Sequence, residues 1–190
     1  MRKVVFGGAN SLDNFIARPD HSVDWLMWCK EAADVMKGYW QRFDTVLMGR
    51  KTYEVATGGG KSSASSSSTA CYVFSRTLER VGKGATLVKG DAGEFVRELK
   101  QQAGKDICLM GGGDLARSLF DAGQIDEIGF NIHPVLLGRG IPLFHPLERQ
   151  VDLELEECRP FQNGCVYVVY RVKHGGESAP RAPSPQRKKR

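Results

Sequence analysis

Thr45-Val46-Leu47-Met48-Gly49-Arg50-Lys51-Thr52-Tyr53-Glu54 is the stretch that decides the fold. Its first four residues read as a short buried strand, Gly49 ends it, and Arg50 onward leads into a helical segment through Val55. Strand, tight turn and helix start follow one another without a spacer, which is the local form of a parallel α/β unit. The same pattern recurs at Asp106 to Met110, a strand that ends in Gly111-Gly112-Gly113-Asp114. Leu115, Ala116, Leu119 and Phe120 then show helical spacing, closed by Gly123.

Working outward, Lys3 to Ala9 is an apolar run ending in glycines and reads as a buried first strand. Trp25, Trp28, Ala32, Val35, Met36 and Tyr39 recur at three- and four-residue spacing, which predicts a helix over 24–40 with Asp24 as its cap and both tryptophans on its core face. Ala70 to Ser75 and Ala85 to Val88 read as strands, and Phe95, Val96, Leu99 and Ala103 as the apolar face of a further helix. Ile125 to Ile132 reads as a strand. The last two strands, about Asp152 to Glu157 and Cys165 to Val172, are joined by a Pro160 to Gly164 turn into an antiparallel hairpin at a sheet edge. Repeated alternation predicts an α/β domain with a mainly parallel sheet of about eight strands and about four helices on both faces.

The chain has 190 residues with 41% hydrophobic and 26% charged residues, the balance of one ordinary folded domain. Its net charge of +5 is concentrated at the end: residues 174–190 hold five Lys/Arg and one acid, which leaves the rest near neutrality. The domain therefore spans 1–173, with a Gly/Ser-rich flexible loop over 57–69 and a disordered basic tail over 174–190. The terminal Arg187-Lys188-Lys189-Arg190 alone points toward nucleic acid, and the nearly neutral body gives that reading no support. No apolar run reaches the length of a membrane span and the amino terminus lacks a signal-peptide block, so the expected setting is cytoplasmic. Five widely spaced cysteines (Cys29, Cys71, Cys108, Cys158, Cys165) show neither a Cys-x-x-Cys nor a zinc spacing and read as reduced thiols.

Chemistry is expected where parallel strands run into helices. Gly49-Arg50-Lys51-Thr52 and Gly111-Gly112-Gly113-Asp114 each open a helix, whose free amides and positive end favour an anion, and glycine lets the backbone approach a phosphate. Two such turns suit the two ends of a dinucleotide; the alternative is that the glycines serve only to make tight turns. Val73-Phe74-Ser75-Arg76 adds a hydroxyl and a guanidinium after a strand, a pair suited to an additional phosphate. There is no G-x-G-x-x-G and no Walker A sequence.

Together these segments resemble the signatures of the dihydrofolate reductase-like superfamily. Within it, Ser11-Leu12-Asp13, residues 123–127 and Pro134-Val135-Leu136-Leu137-Gly138-Arg139-Gly140-Ile141-Pro142-Leu143-Phe144 resemble the reductase domain of the bifunctional riboflavin-biosynthesis deaminase/reductase and its stand-alone relatives. The zinc deaminase signature is missing. The resemblance implies NADPH as cofactor, with Gly49, Arg50, Lys51 and Thr52 at its pyrophosphate and Ser75 and Arg76 at its adenosine phosphate. Gly111, Gly112, Gly113, Asp114 and Leu115 would lie under the pyrophosphate and nicotinamide, with Asn10 and Trp25 close by. It also implies a homodimer, and a cis peptide between Gly111 and Gly112.

A carboxylate on the first helix would assist protonation; Asp24 and Asp34 both qualify, and Asp24 at the helix start is preferred, its alternative being a plain helix cap. Asp13 reads as a loop-organising carboxylate. Asn14 stands where relatives carry glycine. Met110 replaces a glutamate that in the riboflavin enzymes contacts the ribosylated pyrimidine. The implied activity is hydride transfer to a small heterocyclic or carbonyl-bearing substrate, and the rival reading is a nucleotide- or flavin-binding module without turnover.

Overall fold

The computed structural model describes residues 1–58 and 69–174. Most of the expected Gly/Ser loop, and the tail beyond residue 174, lie outside the described residues. In chain order the elements are β1 (Val4–Ser11), β2 (Phe15–Ala17), α1 (Lys30–Gln41), β3 (Phe43–Gly49), α2 (Arg50–Ala56), β4 (Ala70–Phe74) and β5 (Thr86–Val88). They continue as α3 (Ala92–Gln101), β6 (Asp106–Leu109), α4 (Gly113–Asp121), β7 (Glu127–His133), β8 (Ile141–Pro142), β9 (Leu153–Pro160) and β10 (Val166–Val172).

Eight strands form one sheet in the order β5-β4-β3-β6-β1-β7-β10-β9. Pairing is parallel from β5 to β7, and β10 runs antiparallel to both β7 and β9. This is the expected mainly parallel sheet with its carboxyl-terminal hairpin. The separate pair β2-β8 was not legible, because two- and three-residue strands joined across more than a hundred residues carry no periodic signal.

Alternation along β1 sorts the helices. Val4 and Phe6 pack with Val96 and Leu99 of α3 and Leu115, Leu119 and Phe120 of α4. Val5 packs on the other face with Tyr39 of α1 and Tyr53 of α2. Helix α1 lies so close that a side chain at Gly7 would overlap the Tyr39 hydroxyl and come within 2.8 Å of the Gly129 carbonyl.

Helix α1 begins later than the spacing of its apolar residues predicts. Cys29, not Asp24, is its cap, and the Cys29 sulfur accepts the Ala32 N–H at 3.4 Å. Residues 24–28 are drawn instead onto β7: the Met27 N–H donates to His133 Nδ1 at 3.2 Å, and Trp25 packs edge-to-face on the His133 ring with centroids 5.2 Å apart. A backbone donor spent on β7 is not available to a helical turn. Trp28, expected in the core, is 74% exposed.

Ion pairs fasten the amino ends of the strands. Arg2 pairs with Asp44, Lys100 with Asp126 at 2.7 Å, and Arg42 reaches Glu127 at 2.7 Å and Asp106 at 3.2 Å. The Glu127 side chain is only 5% exposed and its two oxygens take both terminal nitrogens of Arg42. Arg42→Ala removes the paired guanidinium from that buried carboxylate and leaves it Lys3 at 3.8 Å. It should lower unfolding free energy by about 3 kcal/mol, the low end for such a loss because Arg42 itself is partly exposed. Urea denaturation followed by circular dichroism measures this.

Candidate functional site

The sheet order brings the three sequence motifs to one edge. β4, β3 and β6 are neighbours, so Ser75-Arg76, Gly49 to Thr52 and Gly111 to Leu115 leave the sheet side by side, within about two strand spacings or 10 Å. The two glycine turns touch. The Gly49 N–H points to the Gly111 carbonyl at 3.4 Å, and a Cβ on Gly112 would sit 3.5 Å from both the Cα and the nitrogen of Gly49. Thr52 faces the turn, its hydroxyl 3.6 Å from where a Cβ of Gly111 would lie.

Gly111 (φ 126°) and Gly112 (φ 96°) make the bend by two successive positive-φ conformations. The peptide between them is trans, as are all the described peptides, in place of the cis bond that the resemblance implies. Helix α4 has no side-chain cap at Gly112, and its first helical bond runs from the Ala116 N–H to the Gly112 carbonyl. The preceding amides of Gly113, Asp114 and Leu115 have no helical acceptor, and with the positive end of the helix they favour an anionic oxygen.

Arg50 turns along α2 to Glu54 at 3.0 Å, whereas Lys51 is exposed. The Ser75 hydroxyl oxygen accepts the N–H groups of Thr77 (3.2 Å) and Leu78 (3.0 Å), which shapes the loop that presents Arg76. Arg76 is exposed and, among the described residues, makes no ion pair. Asp114 points outward and meets His145 Nδ1 at 3.2 Å, while the His145 ring covers the Cα of Gly113. Sequence reading gave His145 no partner; a contact across more than thirty residues has no local signature.

Asn10, next to last in β1, is 2% exposed and donates through Nδ2 to the Ser11 carbonyl (2.8 Å) and to Asn14 Oδ1 (3.2 Å). Asn14 adopts φ 63°, the left-handed conformation that glycine takes without strain. Asp13 does organise its loop: it accepts the Ser11 hydroxyl at 2.6 Å and the N–H groups of Leu137 (3.1 Å) and Gly138 (2.8 Å). The Ser11 hydroxyl is the main cause that holds the Asp13 carboxyl below the usual carboxylate range. Asp24 is not brought to a buried position. Its side chain is 65% exposed and pairs with Arg18 at 2.7 Å, and Asp34 is exposed on α1. Met110 packs partly against the Tyr39 and Tyr53 side of the core.

A second polar group stands at the carboxyl end of β7. His133, 2% exposed, is ringed by Trp25, the Met27 amide, Asn131 at 3.1 Å and the Cys165 thiol at 3.4 Å. Burial holds the imidazole below its ordinary value and burial pushes the Cys165 thiol up.

A parallel α/β sheet with two abutting glycine turns at its carboxyl edge and an antiparallel hairpin at one side defines the dihydrofolate reductase-like fold class. Dihydrofolate reductase from Enterococcus faecalis, solved with NADP(H), superposes with a TM-score of 0.66 at 16% identity over 90% of this chain and 97% of that one. A protein attributed to riboflavin biosynthesis in Shewanella sp. PV-4 is similar with a TM-score of 0.78 at 25% identity, covering 92% of this chain and all of that one. Residues 2–167 match the RibD C-terminal domain, and the chain belongs to that family. Among curated proteins, the uncharacterized protein YyaP of Bacillus subtilis (strain 168) is 31% identical over 182 residues, 89% of this chain and 94% of its own length. The family match and the solved structures thus agree on one fold.

The buried imidazole sets a pH dependence. Its folded-state pKa lies below the unfolded one, so the unfolded chain binds the proton more readily. The contribution is present in full above about pH 6.5, the unfolded value, and is lost as pH falls through the folded pKa. Melting temperature should therefore drop more steeply on acidification below about pH 6.5 in the wild type than in His133→Asn, as thermal denaturation across a pH series would show.

Proposed function

We propose that the chain is an NADPH-dependent reductase that transfers hydride to a small heterocyclic or carbonyl-bearing substrate. The observation that carries the reading is the contact of Gly49 with Gly111 and Gly112, which sets two helix starts side by side with no side chain between them. The residues fit the cofactor: amides of Gly113 to Leu115 and the Thr52 hydroxyl face the space where a diphosphate would be held. Arg76 supplies a free guanidinium on the neighbouring strand end. The bound nicotinamide supplies the hydride. This chain's residues hold it, orient it and limit water at the carboxyl ends of β1 and β6.

The proton that completes the reduction comes from solvent in this reading, since Asp24 is exposed and engaged by Arg18. A homodimer, implied by the resemblance, and a cytoplasmic setting, expected from the sequence, belong to the same proposal; among the described residues no helix is long and apolar enough to cross a membrane. The rival, a binding module without turnover, is separated by one experiment. NADPH binding is titrated by fluorescence and NADPH oxidation followed against a panel of pterins, pyrimidines and flavins; binding with no oxidation across the panel favours the rival, and no NADPH binding removes the reductase reading.

Arg76→Ala should weaken NADPH binding by about 1–3 kcal/mol, the scale of a charge-assisted contact, and leave NADH nearly unaffected. Equal losses for both cofactors would remove Arg76 from the phosphate. A second expectation concerns Met110, whose thioether offers at best a weak acceptor where the riboflavin enzymes have a carboxylate. Steady-state kinetics should show slow or no oxidation of NADPH with the ribosylamino-pyrimidine of that pathway; efficient turnover at micromolar substrate would restore the riboflavin assignment.

A further inference from the structure

Two thiols and an imidazole gather where the start of α1 packs near the start of β10. Cys165, the residue before β10, is sealed from solvent, and its sulfur lies 3.4 Å from His133 Nδ1. The other ring nitrogen, Nε2, lies 3.1 Å from the Asn131 carboxamide. Thiol, imidazole and carboxamide in that order make a cysteine nucleophilic, because the imidazole takes the thiol proton and the carboxamide fixes the ring. The reductase reading makes no use of them.

The cluster is closed. His133 is 2% exposed, and its Nδ1 also accepts the Met27 N–H at 3.2 Å. A nucleophile with no opening to solvent needs an electrophile supplied from within the fold, and a second sulfur is at hand. Ala32, Phe161 and Cys165 form a small buried cluster, and Cys29 packs against it. Met27, whose N–H meets the same nitrogen as the Cys165 thiol, stands two residues before Cys29 in the chain. The two sulfurs also feel each other. Burial pushes the Cys165 thiol up, the Cys29 sulfur adds to that rise, and the Asn163 and Asn131 carboxamides work against it.

Cys29 differs from its neighbour in access. It is half-buried where Cys165 is sealed, so it is the sulfur that a small oxidant reaches first. The Ala32 N–H, 3.4 Å from that sulfur, fixes it at the head of α1. The other cysteines stand elsewhere: Cys71 and Cys108 are buried in the core, where burial pushes Cys108 up to about 12, and Cys158 is exposed on the edge strand β9.

We propose that Cys29 and Cys165 are a peroxide-sensitive pair that closes to a reversible disulfide, with Cys29 as the sulfur that meets the oxidant and His133 as the base for Cys165. The Cys29 sulfur attacks a hydroperoxide and takes one oxygen as the O–O bond breaks; the other oxygen leaves as alcohol or water with the thiol proton, and Cys29 is left as a sulfenic acid. Cys165 then gives its proton to His133 Nδ1 and attacks that sulfur. The S–O bond breaks, the departing hydroxide takes the proton from His133, and water leaves. The two thiols lose two electrons and the peroxide gains them. The closed bond fastens the start of α1 to the start of β10 and holds residues 24–28, whose Met27 and Trp25 contacts both fall on His133. The pair does not depend on the cofactor reading.

The test treats the reduced full chain with hydrogen peroxide, alkylates the remaining thiols and maps the cysteines by mass spectrometry. The expected product is a Cys29–Cys165 linkage with loss of both thiol hydrogens, reversed by dithiothreitol. In Cys165→Ser, Cys29 should stop at the sulfenic acid and be trapped by dimedone; in Cys29→Ser, Cys165 should stay a free thiol. His133→Asn keeps an acceptor for the Met27 N–H and removes the base, so closure should slow about tenfold while Cys29 consumes peroxide at the wild-type rate. Oxidised Cys29 that stays unlinked to Cys165, linkage to another cysteine, or Cys165 oxidised as fast in Cys29→Ser as in the wild type overturns the pair. Unchanged closure in a folded His133→Asn overturns the role of the imidazole, and if that variant fails to fold by circular dichroism the two cysteine variants still decide the pair.

Discussion

The approach of one backbone to another at Gly49 and Gly111-Gly112 is the constraint on which the carboxyl edge of the sheet depends. With a Cβ on Gly112 only 3.5 Å from the Cα and nitrogen of Gly49, and both Gly111 and Gly112 at positive φ, a side-chain-bearing pair would be strained and crowded at once. Keeping the turns in contact lets β6 enter between β3 and β1, and it lets α2 and α4 start beside each other on opposite faces of the sheet. The anion-favouring surface is thus a product of how the strands are ordered, with little contribution from long side chains. Arg50, which the sequence offers as a phosphate ligand, is turned to Glu54 instead.

Charge is distributed unevenly along the strands. The amino ends are fastened by Arg2 with Asp44, Arg42 with Glu127 and Asp106, and Lys100 with Asp126. The carboxyl end of β7 carries only neutral groups, and burial keeps His133 that way. Buried ion pairs are specific in geometry but costly to rearrange.

The parts of this arrangement that repeat or alternate were legible in the chain. Val4 to Phe6, Thr45 to Met48 and Asp106 to Leu109 announce strands, and Gly49 and Gly111 to Gly113 announce the turns, because each signal lies within a few residues. What failed did so where a distant partner overrides local preference. Trp25 and Trp28 keep perfect helical spacing, yet His133, more than a hundred residues away, claims the Met27 N–H and holds Trp25 outside the helix. Asn131, Asn163 and Cys165 each look unremarkable alone, and only the pairing of β10 with β7 gathers them at one histidine. The β2-β8 pair escaped for the same reason.

His145 shows how the core and the glycine edge are joined. A side chain at Gly113 would overlap its imidazole, so the glycine there serves a neighbour as well as a ligand. The residue before it, Phe144, packs against Phe6 and Phe130 with centroids 6.0 Å away in each case, and Phe6 lies 5.1 Å from Phe130. The strap after β8 is therefore fixed at Phe144 by the core on the α3-α4 face and rests at His145 on the start of α4. The amides of Gly113 to Leu115 therefore lie beside a ring whose chain neighbour, Phe144, is held by aromatic packing. Its contact with Asp114 at 3.2 Å ties the first turn of that helix to the same ring.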